Sequence, residues 1–139
     1  MPFGKGKIAA VGADIGLLYM KRAQYLHKDL MRGILNRLYT PIVSLENTEG
    51  KVEITVLEKD GRMMIQLVNA NGNHADPRSA TEDFIPACYN VQLALNLSAK
   101  PQKLILQPEG KELDFAYENG KASVKLDKLN MHEIIEVLE

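Results

Sequence analysis

Tryptophan is absent from this 139-residue chain, cysteine occurs once, and aromatic residues make up only 6% of it. Each shortage excludes something. Sugar rings are held by flat aromatic faces, and a chain with no Trp and little Phe or Tyr is poorly equipped to offer such a platform. The lone Cys88 rules out an internal disulfide framework and any cysteine-based metal site, so it reads as a small buried apolar side chain. No stretch approaches the roughly 18 uninterrupted apolar residues of a membrane-spanning helix. The first residues, Met1-Pro2-Phe3-Gly4-Lys5-Gly6-Lys7-Ile8, contain neither the apolar core nor the small-residue cleavage site of a signal peptide, and the default expectation is a cytoplasmic protein. A strong charge of one sign is lacking too.

The formal net charge of −1 conceals an asymmetry. Residues 1–45 hold seven Lys or Arg against Asp14 and Asp29, whereas residues 46–139 hold ten basic and sixteen acidic side chains. Neither part has the concentrated basic face that nucleic acid requires. What the sequence does have is a change of pattern near Pro41. Lys7-Ile8-Ala9-Ala10-Val11 is a short apolar run that predicts a buried strand, followed by a turn over Gly12-Ala13-Asp14-Ile15-Gly16. From Met20 to Leu38, Ala23, Leu26, Leu30, Ile34 and Leu38 recur every three or four residues, with Lys and Arg between them. That spacing predicts one amphipathic helix, ended by Pro41 and weakened by about 1 kcal/mol at Gly33.

Beyond Asn47-Thr48-Glu49-Gly50 the period changes to two. Val52, Ile54 and Val56 alternate with polar residues, and Asp60-Gly61 supplies the positive-φ pair of a tight hairpin before Met63–Val68. Tyr89, Val91, Leu93, Leu95 and Leu97 alternate most clearly, and Leu104–Leu106 follows Pro101. Leu113, Phe115 and Tyr117 alternate up to the second hairpin signal, Asn119-Gly120, and Met131–Leu138 closes the chain. About seven short strands in roughly 90 residues predict a mainly β domain, an antiparallel immunoglobulin-like sandwich over 46–139, preceded by a strand–helix segment over 1–45. A strand–helix pair alone cannot bury its own faces. An orphaned helix face would favour self-association, so a homo-oligomer formed through the N-terminal helix is one expectation.

No catalytic constellation, cofactor motif or metal-ligand spacing emerges. Gly4-Lys5-Gly6-Lys7 precedes its strand instead of following it, and the turn at 12–16 carries Asp14 where a phosphate cradle needs glycine. No Ser stands in a Gly-x-Ser-x-Gly elbow. Glu82 and Asp83 are adjacent, so in extended chain they point to opposite faces. The densest polar cluster is Asn69-Ala70-Asn71-Gly72-Asn73-His74-Ala75-Asp76-Pro77-Arg78. Its spacing fails the helix–loop–helix calcium pattern, with Ala80 where the final glutamate belongs. Asn71, His74, Asp76 and Arg78 are the candidate ligand-binding residues of this loop; turn chemistry explains the same composition without any ligand.

Ile65-Gln66-Leu67-Val68-Asn69, the Asn-Gly-Asn-His-Ala-Asp loop at 71–76, Phe84-Ile85-Pro86, Lys103-Leu104-Ile105-Leu106-Gln107-Pro108 and Leu129-Asn130-Met131-His132-Glu133-Ile134-Ile135 together carry a resemblance. In these segments the β part resembles the C-terminal domain of large bacterial glycoside hydrolases of the β-galactosidase and α-L-fucosidase-like type. In such enzymes a (β/α)₈ catalytic barrel is followed by a flavodoxin-like domain and then by a small β-sandwich. The segment Gly6–Gly16 with its helix looks like the last strand and helix of that middle domain. The resemblance implies an accessory region whose partners are the other domains of a parent glycosidase. The family's catalytic carboxylates belong to the barrel, so it implies no catalytic residue here. Two other readings stand beside it: a carbohydrate-binding module, and a free-standing α+β protein whose helix covers the sheet.

Overall fold

The computed structural model describes residues 2–22, 24–72 and 84–139. The chain divides into two compact units, Met1–Pro41 and Ile42–Glu139. In the first, β1 (Pro2–Phe3) and β2 (Gly6–Lys7) form a minimal hairpin, turned at Gly4 with φ +58°. The apolar run after Lys7 is not the buried strand its composition predicts: Ile8 and Val11 lie outside any strand and are each 46% exposed. A run of apolar residues becomes a strand only where a neighbouring strand offers a ladder, and none among the described residues of this unit does. The expected single helix is two, α1 (Ile15–Arg22) and α2 (Tyr25–Leu38). Gln24 between them is extended, at φ −75° and ψ 131°. Apolar spacing of three or four residues satisfies two short helices as well as one long one, so periodicity does not register the break. Asp14 caps α1, its Oδ1 accepting a hydrogen bond from Leu17 N at 3.3 Å. The C-terminus of α2 is closed by Tyr39 N donating to Leu35 O, two residues before Pro41.

The second unit is a sandwich of two antiparallel sheets, which hold nine strands among the described residues where alternation predicts about seven. One sheet has the order β3 (Val43–Glu49), β6 (Cys88–Asn96), β10 (Lys121–Leu129), β9 (Phe115–Glu118). The other has the order β4 (Val52–Lys59), β5 (Arg62–Asn69), β11 (His132–Leu138), β7 (Lys103–Gln107), β8 (Lys111–Leu113). The β part therefore begins with β3, earlier than alternation suggested, because Val43 and Leu45 alone are too few to declare a strand. Leu113, Phe115 and Tyr117 belong to two strands in different sheets, with Asp114 as the corner where the chain changes sheet. Asp60 and Gly61, at φ 52° and 75°, and Asn119 and Gly120, at φ 51° and 78°, make the two tight hairpins that their sequences dictate.

Ile65, Leu67, Val91, Leu93, Leu95, Leu104, Val124, Leu126, Leu129, Ile135 and Val137 form the core between the sheets. The period-2 pattern of β6 slips once. Asn90 adopts φ +51°, so Cys88 and Val91 both face inward and Tyr89 stays 47% exposed. β10 slips opposite it, burying Leu126 and Leu129 with Asp127 and Lys128 outside. Tyr89 is accordingly a surface residue and not part of the core row.

Candidate functional site

The described residues on either side of 73–83 are held together by a polar clamp. Asn69, at the end of β5, is buried, and its Nδ2 donates to Asn130 O at 2.6 Å and Pro86 O at 2.9 Å. Its Oδ1 accepts from Asn71 N at 3.0 Å and from Cys88 Sγ at 3.3 Å. Asn71 Oδ1 accepts from Lys51 N at 2.9 Å, and its Nδ2 donates to Pro86 O at 3.2 Å. Both ends of the loop and the β3–β4 turn are thereby tied to one point. The turn approaches so closely that a Cβ at Gly50, whose φ is +122°, would lie 2.7 Å from Asn71 Nδ2 and 2.8 Å from Cys88 Sγ. Cys88 is fully buried; burial pushes its thiol up, against a weaker opposing pull from the Lys51 backbone and the Asn71 amide. The candidate Asn71 thus has its side-chain amide engaged within the clamp, while His74, Asp76 and Arg78 lie outside the described residues.

A second feature had no signal in the sequence. On the outer face of the four-stranded sheet, Ser44, Ala94, Ser123 and Ala116 stand side by side across all four strands. At the Ser123–Ala116 end of this row lies a trough of about 390 Å³, lined by Leu93, Phe115, Ala116 and Val124 together with Glu46, Gln92, Asp114, Ser123 and Lys125. It continues into a hollow of about 440 Å³ walled by Asn96, Glu118, Asn119 and Lys121. Glu46 lies level with Leu93 and Gln92, and Lys121 level with Asn96, so their ion pair passes over the Ala94 row. Ala94 is completely covered although it faces away from the core. Amide, hydroxyl and charged groups of both signs border a trough whose surface is mainly apolar. The four residues of the small-residue row come from four strands, so only the strand order brings them together.

The outer face of the five-stranded sheet is organised differently. Glu136 sits between Met64 and Ile105 on the central strand and is only 7% exposed. Its carboxylate accepts from Arg62 Nη1 at 2.7 Å and from Gln107 Nε2 at 2.9 Å, and these two bonds hold it below the usual carboxylate range. Glu133 differs: burial first, and the neighbouring Glu109 second, push its carboxyl up, and its Oε2 has no hydrogen-bond partner among the described residues. Among the described residues no three His, Cys, Asp or Glu side chains converge as a metal site. No described helix is long and apolar enough to cross a membrane.

No family model and no curated protein matches the sequence. A solved structure shares the fold. It is alpha-L-fucosidase isoenzyme 2 from Paenibacillus thiaminolyticus, with a TM-score of 0.74 over 89% of this chain at 16% identity. The match covers 19% of that fucosidase, so this chain spans about one fifth of its length. At such identity the likeness is one of fold.

Proposed function

We propose that this chain is a non-catalytic accessory region from the C-terminal part of a glycoside hydrolase, whose sandwich is immunoglobulin-like and packs against the domains that carry the chemistry. The observation that carries this reading is the extent of the fold match. Residues 42–139 are roughly seven-tenths of the chain, so a match over 89% runs past the sandwich into Met1–Pro41. A likeness that crosses the boundary between two units supports a shared two-part region rather than a lone sandwich. On this reading α1 and α2 are the closing helices of a flavodoxin-like domain, and the exposed Leu26, Leu30 and Leu35 of α2 are covered by the rest of it. The isolated chain is expected to show no turnover of a chromogenic glycoside panel that includes aryl α-L-fucosides and β-galactosides. Sustained hydrolysis abolished by no contaminant control would overturn the proposal.

A carbohydrate-binding role is the second reading, and the trough on the four-stranded sheet favours it, with an apolar surface and polar groups at its border. Titration with oligosaccharides followed by amide NMR should then shift Gln92, Ser123 and Lys125 together and saturably. A flat response to a broad panel counts against it.

A further inference from the structure

Sheet edges differ in how they are protected, because an unpaired row of N–H and C=O groups is a template for another strand. In this sandwich β8 has three residues, β9 has four, and β3 has two register shifts that break its ladder. β4 has none of these safeguards. It runs eight residues, Val52–Lys59, in regular register with β5, carries no Pro or bulge, and has no strand on its other side among the described residues.

The hydrogen-bond phase of β4 is fixed. Ala70 N donates to Lys51 O at 2.8 Å, and Lys51 stands opposite Ala70 in the continuation of the β4–β5 register. The odd residues of β4 therefore bond to β5, and Val52, Ile54, Val56 and Glu58 present their N–H and C=O groups to the open edge. A second copy can pair with this edge across a two-fold axis only in registers that set even residue against even residue. With Val56 opposite Val56 of the second copy, Glu53 lies directly opposite Lys59 of that copy, and Lys59 opposite its Glu53. No other symmetric register of Val52–Lys59 sets opposite charges against each other, and some oppose like charges: one sets Lys51 opposite Lys59, another sets Glu58 opposite Glu58. The favoured register places Ile54 of the second copy beside Glu58. There a hollow of about 420 Å³, lined by Ile42, Val56 and Met63 among others, lies open to receive it.

We propose that the β4 edge is a homodimer interface, joining two copies of this chain through antiparallel β4–β4 pairing centred on Val56, with reciprocal Glu53–Lys59 pairs fixing the register. The outcome is a continuous ten-stranded sheet across two copies. Opposite charges facing each other across a strand pair stabilise it and like charges oppose it.

Sedimentation velocity of the full chain over a concentration series is expected to show a monomer–dimer equilibrium. Glu53→Lys and Lys59→Glu each place like charges opposite one another twice and should raise the dimer dissociation constant at least about tenfold. Mixing the two variants creates two favourable pairs, so a heterodimer should form where neither variant dimerises alone. Both positions are exposed, and far-UV circular dichroism will register any loss of fold. A chain that stays monomeric at every concentration overturns the proposal. So does a dimer indifferent to both charge reversals, which would place the contact elsewhere, as on α2. Dimerisation lost in each variant and not regained on mixing also overturns it.

Discussion

Replacing Gly50 with alanine is the sharpest perturbation of the polar clamp. Two terms contribute. At φ +122° a side chain is strained, which costs about 1–3 kcal/mol. The new Cβ also meets Asn71 Nδ2 at 2.7 Å and Cys88 Sγ at 2.8 Å. Relief requires the Asn71 amide to leave Pro86 O, and an orphaned polar group in such a place costs about 1–3 kcal/mol. The expected loss is therefore about 2–6 kcal/mol. Gly61 is the control, since its φ is +75° and nothing lies within 4 Å of a Cβ there. Gly61→Ala should cost only the backbone term, about 1–2 kcal/mol. Urea unfolding followed by far-UV circular dichroism measures both, and an unchanged m-value keeps the comparison two-state. A double-mutant cycle with Asn71→Ala should show coupling of about 1 kcal/mol or more, because the clash has then lost its partner. The reasoning is refuted if Gly50→Ala costs no more than Gly61→Ala, or if it is additive with Asn71→Ala.

Further outcomes are expected elsewhere. Asn69→Ala strands Asn130 O and Asn71 N at once, takes away one of the two donors to Pro86 O, and should cost about 2–4 kcal/mol in the same urea experiment, whereas an apolar residue on an exposed position of β4 should be near neutral. Gly33→Ala should raise helicity and stabilise α2 by about 0.5–1 kcal/mol, since Gly33 has no positive φ and a Cβ there meets open space. Because the folded-state pKa of Glu136 is lowered, its contribution is present above the ordinary carboxylate value near 4.3 and fades as pH falls through the folded value. Glu136→Gln should therefore flatten the acid limb of a stability–pH curve. Glu133 has the opposite sign. Its raised pKa makes ionisation costly in the folded state, so stability falls as pH rises through that region, and Glu133→Gln should be more stable than the parent at pH 7 but not at pH 3.

Features encoded by neighbouring residues are legible in the sequence. Asp60-Gly61 and Asn119-Gly120 specify positive φ at adjacent positions, and both hairpins form there. Asp14 at a helix start, the halt of α2 before Pro41 and the buried Cys88 follow from equally local causes. Features requiring a distant partner are not legible there. Ile8–Val11 has the composition of a strand but no ladder within its unit, and Val43–Glu49 lacks the alternation yet pairs with β6. Asn71 can be singled out as polar and loop-borne. That Lys51, Pro86 and Cys88 converge on it cannot, since they are 15 to 20 residues away along the chain.

By itself the sequence determined the class of the molecule: a helical beginning, a change of period near Pro41, and an antiparallel sandwich with two fixed hairpins. These depend on turn chemistry and side-chain alternation, which act over a few residues. Only the tertiary structure decided which strands are neighbours, that Asp114 turns the chain from one sheet to the other, and that four small residues meet in one row beside a trough. It also decided that β4 stands at an edge with its even-numbered backbone groups facing outward. Sheet order is set by how the whole set of apolar faces is buried together, and no local window of sequence contains that information.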